Sequence, residues 1–493
     1  MISNKIRIFL ILLLFILVIF YLFLNNQSID TIPNERGLEG VVFLFMVILG
    51  SSFFLSKRSE LKNLKNQYLK HSFVFLIGYI IVFFQSPIDI TLGNLKISDL
   101  IYPTNNFIII KSLFLAIIGI ISFFLGYYVI SYKETRFLSD NKINNKENNP
   151  VSVSFLEKTS ILCLLIYFFT IDLNYFKGNL YGQSIGIIPN LAIIVFKSSY
   201  FALIIQILLN YKSSNEYTQK ITISQYIKKV IGWKNILIIF TYFISVILSG
   251  DRGPIIFYSL FIFLGYLFLT KKKYSLLRIL ILLLISAYTI TLLGDVRTEK
   301  TDSSNFLNKL NIAVNNQYGN KARDQSISPA TYELAGSINT FYVVVERIPR
   351  DYDYFHGKFQ IMRFFGSFPL LDQLLYSSFA QSEYDQSSSM FISFLIQGDN
   401  LSYGNGTSIL AEFYLDFGFL GIIIGMLIVG MLLKYLEIVT FVKNNPSVLA
   451  LVVSFTYYSN CVYMSRSGLS IGIANIVLTF LFIKYNQFLK KRH

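Results

Sequence analysis

The chain has 493 residues, 54% of them apolar, with a mean hydropathy of +0.54 and a formal net charge of +15. That balance excludes an ordinary soluble domain. Many apolar runs approach or exceed about 18 residues, enough to cross a hydrocarbon core as a helix, so the expected class is an all-α polytopic membrane protein. In a soluble chain the positive charge would suggest nucleic acid. Here Lys and Arg collect at the ends of apolar runs, where they set topology, and no nucleic acid is expected. Cys163 and Cys461 fall in or beside apolar runs and imply no disulfide framework. His71, His356 and His493 lack metal-ligand spacing, so no metal is expected.

Ile6–Leu24 is the first expected span, with Lys5 before it and Arg7 at its start and no small-residue cleavage site after it, so it reads as retained. Gly40–Ser56 returns to a connector carrying Lys57, Arg58, Lys62, Lys65 and Lys70. His71–Phe84 and Phe107–Ile130 follow, then the Asn- and Lys-rich connector Ser131–Lys158, whose composition disfavours a packed core. Thr159–Ile171, Leu191–Asn210, Asn235–Leu248 and Ile255–Thr270 are the next spans, with Ser249–Pro254 as a tight turn between the last two. Leu276–Leu293 leads into a long polar stretch, Gly294–Thr407, and Asp416–Leu433, Ser447–Asn460 and Gly468–Lys484 close the chain.

The expectation is about 12 spans with both termini cytoplasmic. It divides the chain into an N-terminal membrane bundle (1–293), one large extracytoplasmic loop (294–407) and a C-terminal membrane bundle (408–493). The orientation rests on charge asymmetry. Outside the long loop, the external connectors carry only Arg36, Lys96, Lys177, Arg252 and Arg466, whereas Lys and Arg crowd the other side.

Basic residues are otherwise rare on the external face. The long loop nevertheless holds Arg297, Arg323, Arg347, Arg350 and Arg363. Arginine offers a fixed fork of donors that matches phosphate oxygens and keeps its charge, so the cluster suggests an anionic headgroup. In Ser249–Pro254, Asp251 and Arg252 read either as a helix-capping pair or as a site where Arg252 reaches a phosphate. In the stretch Gly404–Gly430, Glu412 and Asp416 are four apart and share a helical face. At the mouth of an apolar span they are candidates for proton transfer, or solvated acids at a helix start. Gly418, Gly421, Gly425 and Gly430 permit close helix packing. Ala330–Ile348 is apolar enough for a helix on the membrane or against the bundle. The tyrosines after it fit sugar stacking or interface anchoring. His356 is a candidate base or merely solvated. Lys111 and Lys197 lie within spans, the second too deep for easy snorkelling.

Three features carry a resemblance: the turn Ser249-Gly250-Asp251-Arg252-Gly253, the loop sequence Ile348-Pro349-Arg350, and the pattern formed by Gly404, Gly406, Ser408, Ala411, Glu412, Tyr414, Phe417, Gly418 and Gly421. With them the chain resembles the bacterial oligosaccharide repeat-unit polymerases, the Wzy-like O-antigen and capsule group. Asp416 stands where that pattern has Asn, and the paired loop motif of some relatives is missing here. The resemblance implies a GT-C-like bundle and glycosyl transfer on the outer face of the inner membrane. The donor would be a glycan on undecaprenyl pyrophosphate, used without cofactor, nucleotide sugar or metal. Membrane lipids and, as partners of the same pathway, a chain-length regulator and a flippase would accompany it. The expected catalytic residues are Arg252, Glu412 and Arg466. Asp251, Arg297, Arg347, Arg350, His356, Arg363 and Asp416 are expected to bind substrate, with Arg252, Arg350, Arg363 and Arg466 on phosphate and Glu412 as base. A ligase of finished glycan and a flippase of lipid-linked oligosaccharide are the alternative functions.

Overall fold

The computed structural model describes residues 2–25, 40–41, 68–130 except 101 and 103, 151–172, 175, 186–279 except 215, 250, 252 and 276, 325–368, 371, 383–401 and 404–492. Among these residues the regular structure is helical throughout. The principal helices are α1 (Ile2–Asn25), α2 (His71–Thr91), α3 (Asn106–Val129), α4 (Ser154–Thr170), α5 (Ile187–Ser213), α6 (Trp233–Ser249), α7 (Gly253–Thr270), α8 (Ile338–Arg347), α9 (Lys358–Gly366), α10 (Ser388–Gln397), α11 (Ile409–Glu437), α12 (Val448–Ser467) and α13 (Ile473–Arg492).

Seven helices among the described residues are long and apolar enough to cross a membrane, or eight if the pair Ile223–Ile231 and Trp233–Ser249, bent by 101°, is one span. The protein is therefore a multi-pass helical membrane protein. α4 is too short for that test and α13 too polar, although both occupy expected spans. The expected spans Gly40–Ser56 and Leu276–Leu293 lie almost wholly outside the described residues. The described part of 294–407 is largely helical, and α8, inside the apolar segment Ala330–Ile348, is buried from Ile338 to Val345.

Two compact units form. One comprises Met1–Ser139, Tyr318–Glu437 and Cys461–Ile471; the other comprises Asp140–Gln317, Ile438–Asn460 and Gly472–His493. In the second, Phe196, Tyr200, Tyr242 and Tyr258 build an aromatic core, with ring centroids 5.1 Å apart for Phe196 and Tyr242 and 5.8 Å for Tyr200 and Tyr258.

The first unit is built around α3, whose apolar window is entirely buried. α11 lies against it with backbones in close approach. A Cβ on Gly126 would fall 1.9 Å from the Leu427 carbonyl oxygen, and one on Gly430 would fall 2.0 Å from that of Phe123. Small residues permit this contact, as they do between membrane helices generally. At one end of these helices Glu437 is fully buried. It accepts from Tyr127 Oη at 2.6 Å and from the Ser72 amide at 2.9 Å, and Lys70 donates to the same tyrosine at 3.0 Å. Glu437, Tyr127, Lys70 and the Ser72 amide thus satisfy one another, as burial in a low dielectric favours.

α2 also holds the segment that follows residue 324. Asp89 is fully buried and accepts from Ser326 Oγ and the Ile327 amide, both at 2.6 Å. One turn earlier, Gln85 donates to the Ser328 carbonyl at 2.9 Å and accepts from Thr331 Oγ1 at 2.6 Å. Two side chains spaced one turn apart on α2 thus fix the backbone leading into α8.

Candidate active site

The motif Gly404–Gly421 folds as a reversal. Ser408 starts α11, its hydroxyl accepting from the Ala411 amide at 3.3 Å, an N-cap arrangement. The helix breaks at Phe417 and Gly418, which has φ +62° and ψ −149°, a region that only glycine occupies without strain. Tyr354 closes over the break, with its Oη 2.9 Å from where a Gly418 Cβ would be. In a straight helix, residues 413 and 421 would stand about 12 Å apart along the axis. Here a Cβ on Gly421 would fall 2.2 Å from the Phe413 carbonyl oxygen, and one on Gly425 would fall 2.5 Å from the Phe413 ring. The two parts of α11 therefore lie side by side. Residues 409–416 form a short half-helix, and the long helix begins after Gly418, so Asp416 belongs to the half-helix rather than to the start of the crossing segment.

The half-helix carries both acids, Glu412 at 1% and Asp416 at 0% exposure. Their surroundings differ. Asp416 is taken up by the backbone: Oδ1 accepts from the Phe359 amide at 3.2 Å and Oδ2 from the Gln360 amide at 3.0 Å. α9 begins after Gly357, which has no side chain to cap it, so Asp416 supplies the cap from another element. In return, the amides of Phe355 and His356 donate to the Leu415 and Asp416 carbonyls at 3.0 and 2.9 Å, closing the end of the half-helix. His356 is itself exposed, with φ +50°.

Glu412 makes different contacts. Its Oε1 accepts from Ser388 Oγ of α10 at 2.7 Å and from Arg363 Nη1 of α9 in an ion pair. Its Oε2 is buried and has no hydrogen-bond partner. Gly468 seats directly on that oxygen at φ +121°: a Cβ there would fall 2.1 Å from Oε2 and 3.1 Å from Arg363 Nη1. Arg363 retains 25% side-chain exposure and has no other protein partner among the described residues. The arrangement joins an unsatisfied carboxylate oxygen to a guanidinium with donors to spare, which suits holding an anion beside a proton acceptor.

The other expected residues are placed as follows. Arg347 and Arg350 meet at Asp351, which accepts from Arg350 Nε at 2.7 Å and from Arg347 Nη1 at 2.8 Å. The two guanidinium groups, Arg350 foremost, hold the Asp351 carboxyl below the ordinary carboxylate range. Arg466 is exposed near the end of α12, two residues before Gly468. Asp251 lies in the second unit, where its Oδ1 accepts from the Gly253 amide at 3.1 Å as α7 begins, and it acts electrostatically on Lys197. Arg252, Arg297 and Arg323 lie outside the described residues. Sequence reasoning did not single out Ser388 or Gly468. Ser388 is the middle of a serine run, Gln386-Ser387-Ser388-Ser389, and Gly468 follows Arg466-Ser467; neither pattern is distinctive.

A family model described as O-antigen polysaccharide polymerase Wzy matches residues 6–491. The chain belongs to that family. Comparison with curated proteins and with solved structures gave no match. The family match covers nearly the whole chain, both units included, and it agrees with the resemblance read from the sequence.

Proposed function

We propose that this member of the Wzy family joins oligosaccharide repeat units carried on undecaprenyl pyrophosphate into a surface polysaccharide, an O-antigen or a capsule. The reaction takes place at the outer face of the inner membrane, in a chain of about 12 spans with cytoplasmic termini. In this reading 1–293 and 408–493 form the membrane bundle and 294–407 the external loop. The observation that carries it is the Glu412–Arg363 pair: a buried carboxylate with one unsatisfied oxygen, tied to an arginine that still reaches the surface.

The acceptor's terminal sugar hydroxyl attacks the anomeric carbon of the donor glycan, forming the new glycosidic C–O bond. The bond between that carbon and the pyrophosphate oxygen breaks, and the electron pair leaves with the lipid pyrophosphate. Glu412 takes the hydroxyl proton on Oε2. Arg363 stabilises the charge that develops on the leaving group, a term that grows in a site shielded from water. Arg350, Arg347 and Arg466, in the same unit, add positive charge for substrate binding, and His356 lies next to the Asp416 backbone. Asp416 keeps α9, and so Arg363, in register with Glu412. Access of the hydroxyl to Oε2 requires the Gly468 backbone to move aside.

The test is the length distribution of surface glycan in a deletion strain complemented with Glu412→Gln or Arg363→Ala. Collapse of the ladder to single repeat units, with normal protein levels, supports the reading. A full ladder from either variant removes that residue. Loss of all attached glycan with long chains still on the lipid carrier would indicate a ligase, and lipid-linked units stranded on the inner leaflet a flippase.

A further inference from the structure

α9 is apolar on both faces. Phe359 and Met362 are buried, with the Phe359 ring 4.6 Å from Phe355 and 5.7 Å from Phe391. On the opposite side Ile361, Phe364 and Phe365 are 45%, 42% and 43% exposed. These three are spaced i, i+3 and i+4 and form one stripe. Single exposed apolar residues are ordinary, but a helix bathed in water on its outer side carries polar residues there.

The surface next to this stripe says what covers it. Gly357, which precedes α9, receives the Phe417 ring, 3.1 Å from a Cβ placed there. Phe417 is half exposed and begins a second stripe, Leu420, Ile424 and Ile428, which are 54%, 58% and 43% exposed along the long part of α11. That helix is among those long and apolar enough to cross a membrane, and exposed leucine and isoleucine at that spacing face lipid. The exposed apolar flank of α11 therefore reaches, through Phe417, the start of α9 at Gly357, one turn before Ile361. The Asp416 cap holds α9 at the level where the half-helix ends.

We infer that α9 is an in-plane membrane helix whose outer face, Ile361, Phe364 and Phe365, is covered by the acyl chains of the adjoining leaflet. Arg363, between two apolar residues and part exposed, then stands at the depth of the lipid phosphates. Resting on the proposed function, this sets the direction of approach. The substrate's phosphate would slide to Arg363 within the bilayer surface rather than descend from water.

The chain has a single tryptophan, Trp233, so a site-specific probe is simple to make. In a Trp233→Phe background, Phe364→Trp and, separately, Phe365→Trp would be reconstituted into phosphatidylethanolamine–phosphatidylglycerol vesicles. The vesicles would contain a lipid brominated either near the headgroup end of the acyl chain or near the terminal methyl. The expected result is loss of most tryptophan emission with the shallow bromines, a smaller loss with the deep ones, and protection from aqueous iodide. Quenching by iodide alone would place the face in water. Quenching by neither would mean that protein covers it, a second copy or another partner. Both results overturn the inference. The readout is independent of turnover, so its failure leaves the Glu412–Arg363 reading untouched. A normal glycan ladder from Glu412→Gln would sink that reading while leaving the tryptophan result standing.

Discussion

Breaking the Arg363–Glu412 pair from its two ends should have unequal consequences. Arg363→Ala leaves a carboxylate at 1% exposure with one hydrogen bond, from Ser388. Two unit charges about 4 Å apart at an effective dielectric of about 20 attract by about 4 kcal/mol. Stranding one partner of a buried pair costs roughly 3–5 kcal/mol. Arg363 is 25% exposed, so solvent screens part of this and the expected loss is about 2–4 kcal/mol. Glu412→Gln removes the buried charge instead. It retains an oxygen for Ser388, and Arg363 can turn to solvent, so the expected loss is about 1 kcal/mol. A difference of about 2 kcal/mol is roughly a thirtyfold ratio in unfolding equilibrium. Cys163 and Cys461 are free and buried. In a Cys163→Ser background, labelling of Cys461 by a thiol-reactive dye reports opening of the first unit during denaturant titration in detergent. Equal midpoints for the two variants, or a lower midpoint for Glu412→Gln, would refute the argument that the acid is the costly buried partner.

Three further outcomes can be checked. Gly418→Ala should fail to accumulate or lose the glycan ladder, because its backbone conformation suits glycine alone and Tyr354 fills the space; Tyr354→Ala should not restore it, since the strain remains. Asp416→Ala should lower stability by roughly 1–2 kcal/mol through loss of the α9 cap, and Asp416→Asn by less; equal costs would argue against capping. The Asp351 carboxyl is held below its ordinary range by Arg350 and Arg347, so its stabilising contribution is present at neutral pH and disappears only as pH falls through that depressed value. The stability gap between the native chain and Asp351→Asn should therefore stay constant down to about pH 4, around the ordinary aspartate value, and close only below it. A gap that already shrinks near pH 6 would contradict the pairing.

The sequence pointed to the two acids of the candidate site but not to their partners. The spacing of Glu412 and Asp416 places them on one helical stretch, and the glycines of the same motif signalled close packing. The division of labour between the acids was not legible. Asp416 became a cap because α9 starts at a glycine that cannot cap itself, a need set by an element some sixty residues earlier in the chain. The reversal at Phe417 was also hidden, since Phe-Gly within an apolar run is compatible with an uninterrupted helix.

The sequence by itself determined the class: apolar runs of membrane-crossing length and a family match over residues 6–491. The apolar runs are local, and helix formation in an apolar solvent satisfies the backbone within each segment. Which side chains meet was decided by tertiary structure alone. Glu412 finds Arg363 at a separation of 49 residues and Ser388 at 24, and Gly468 arrives from a third segment. Such pairings depend on how helices pack and where one of them turns back, which spacing along the chain does not encode.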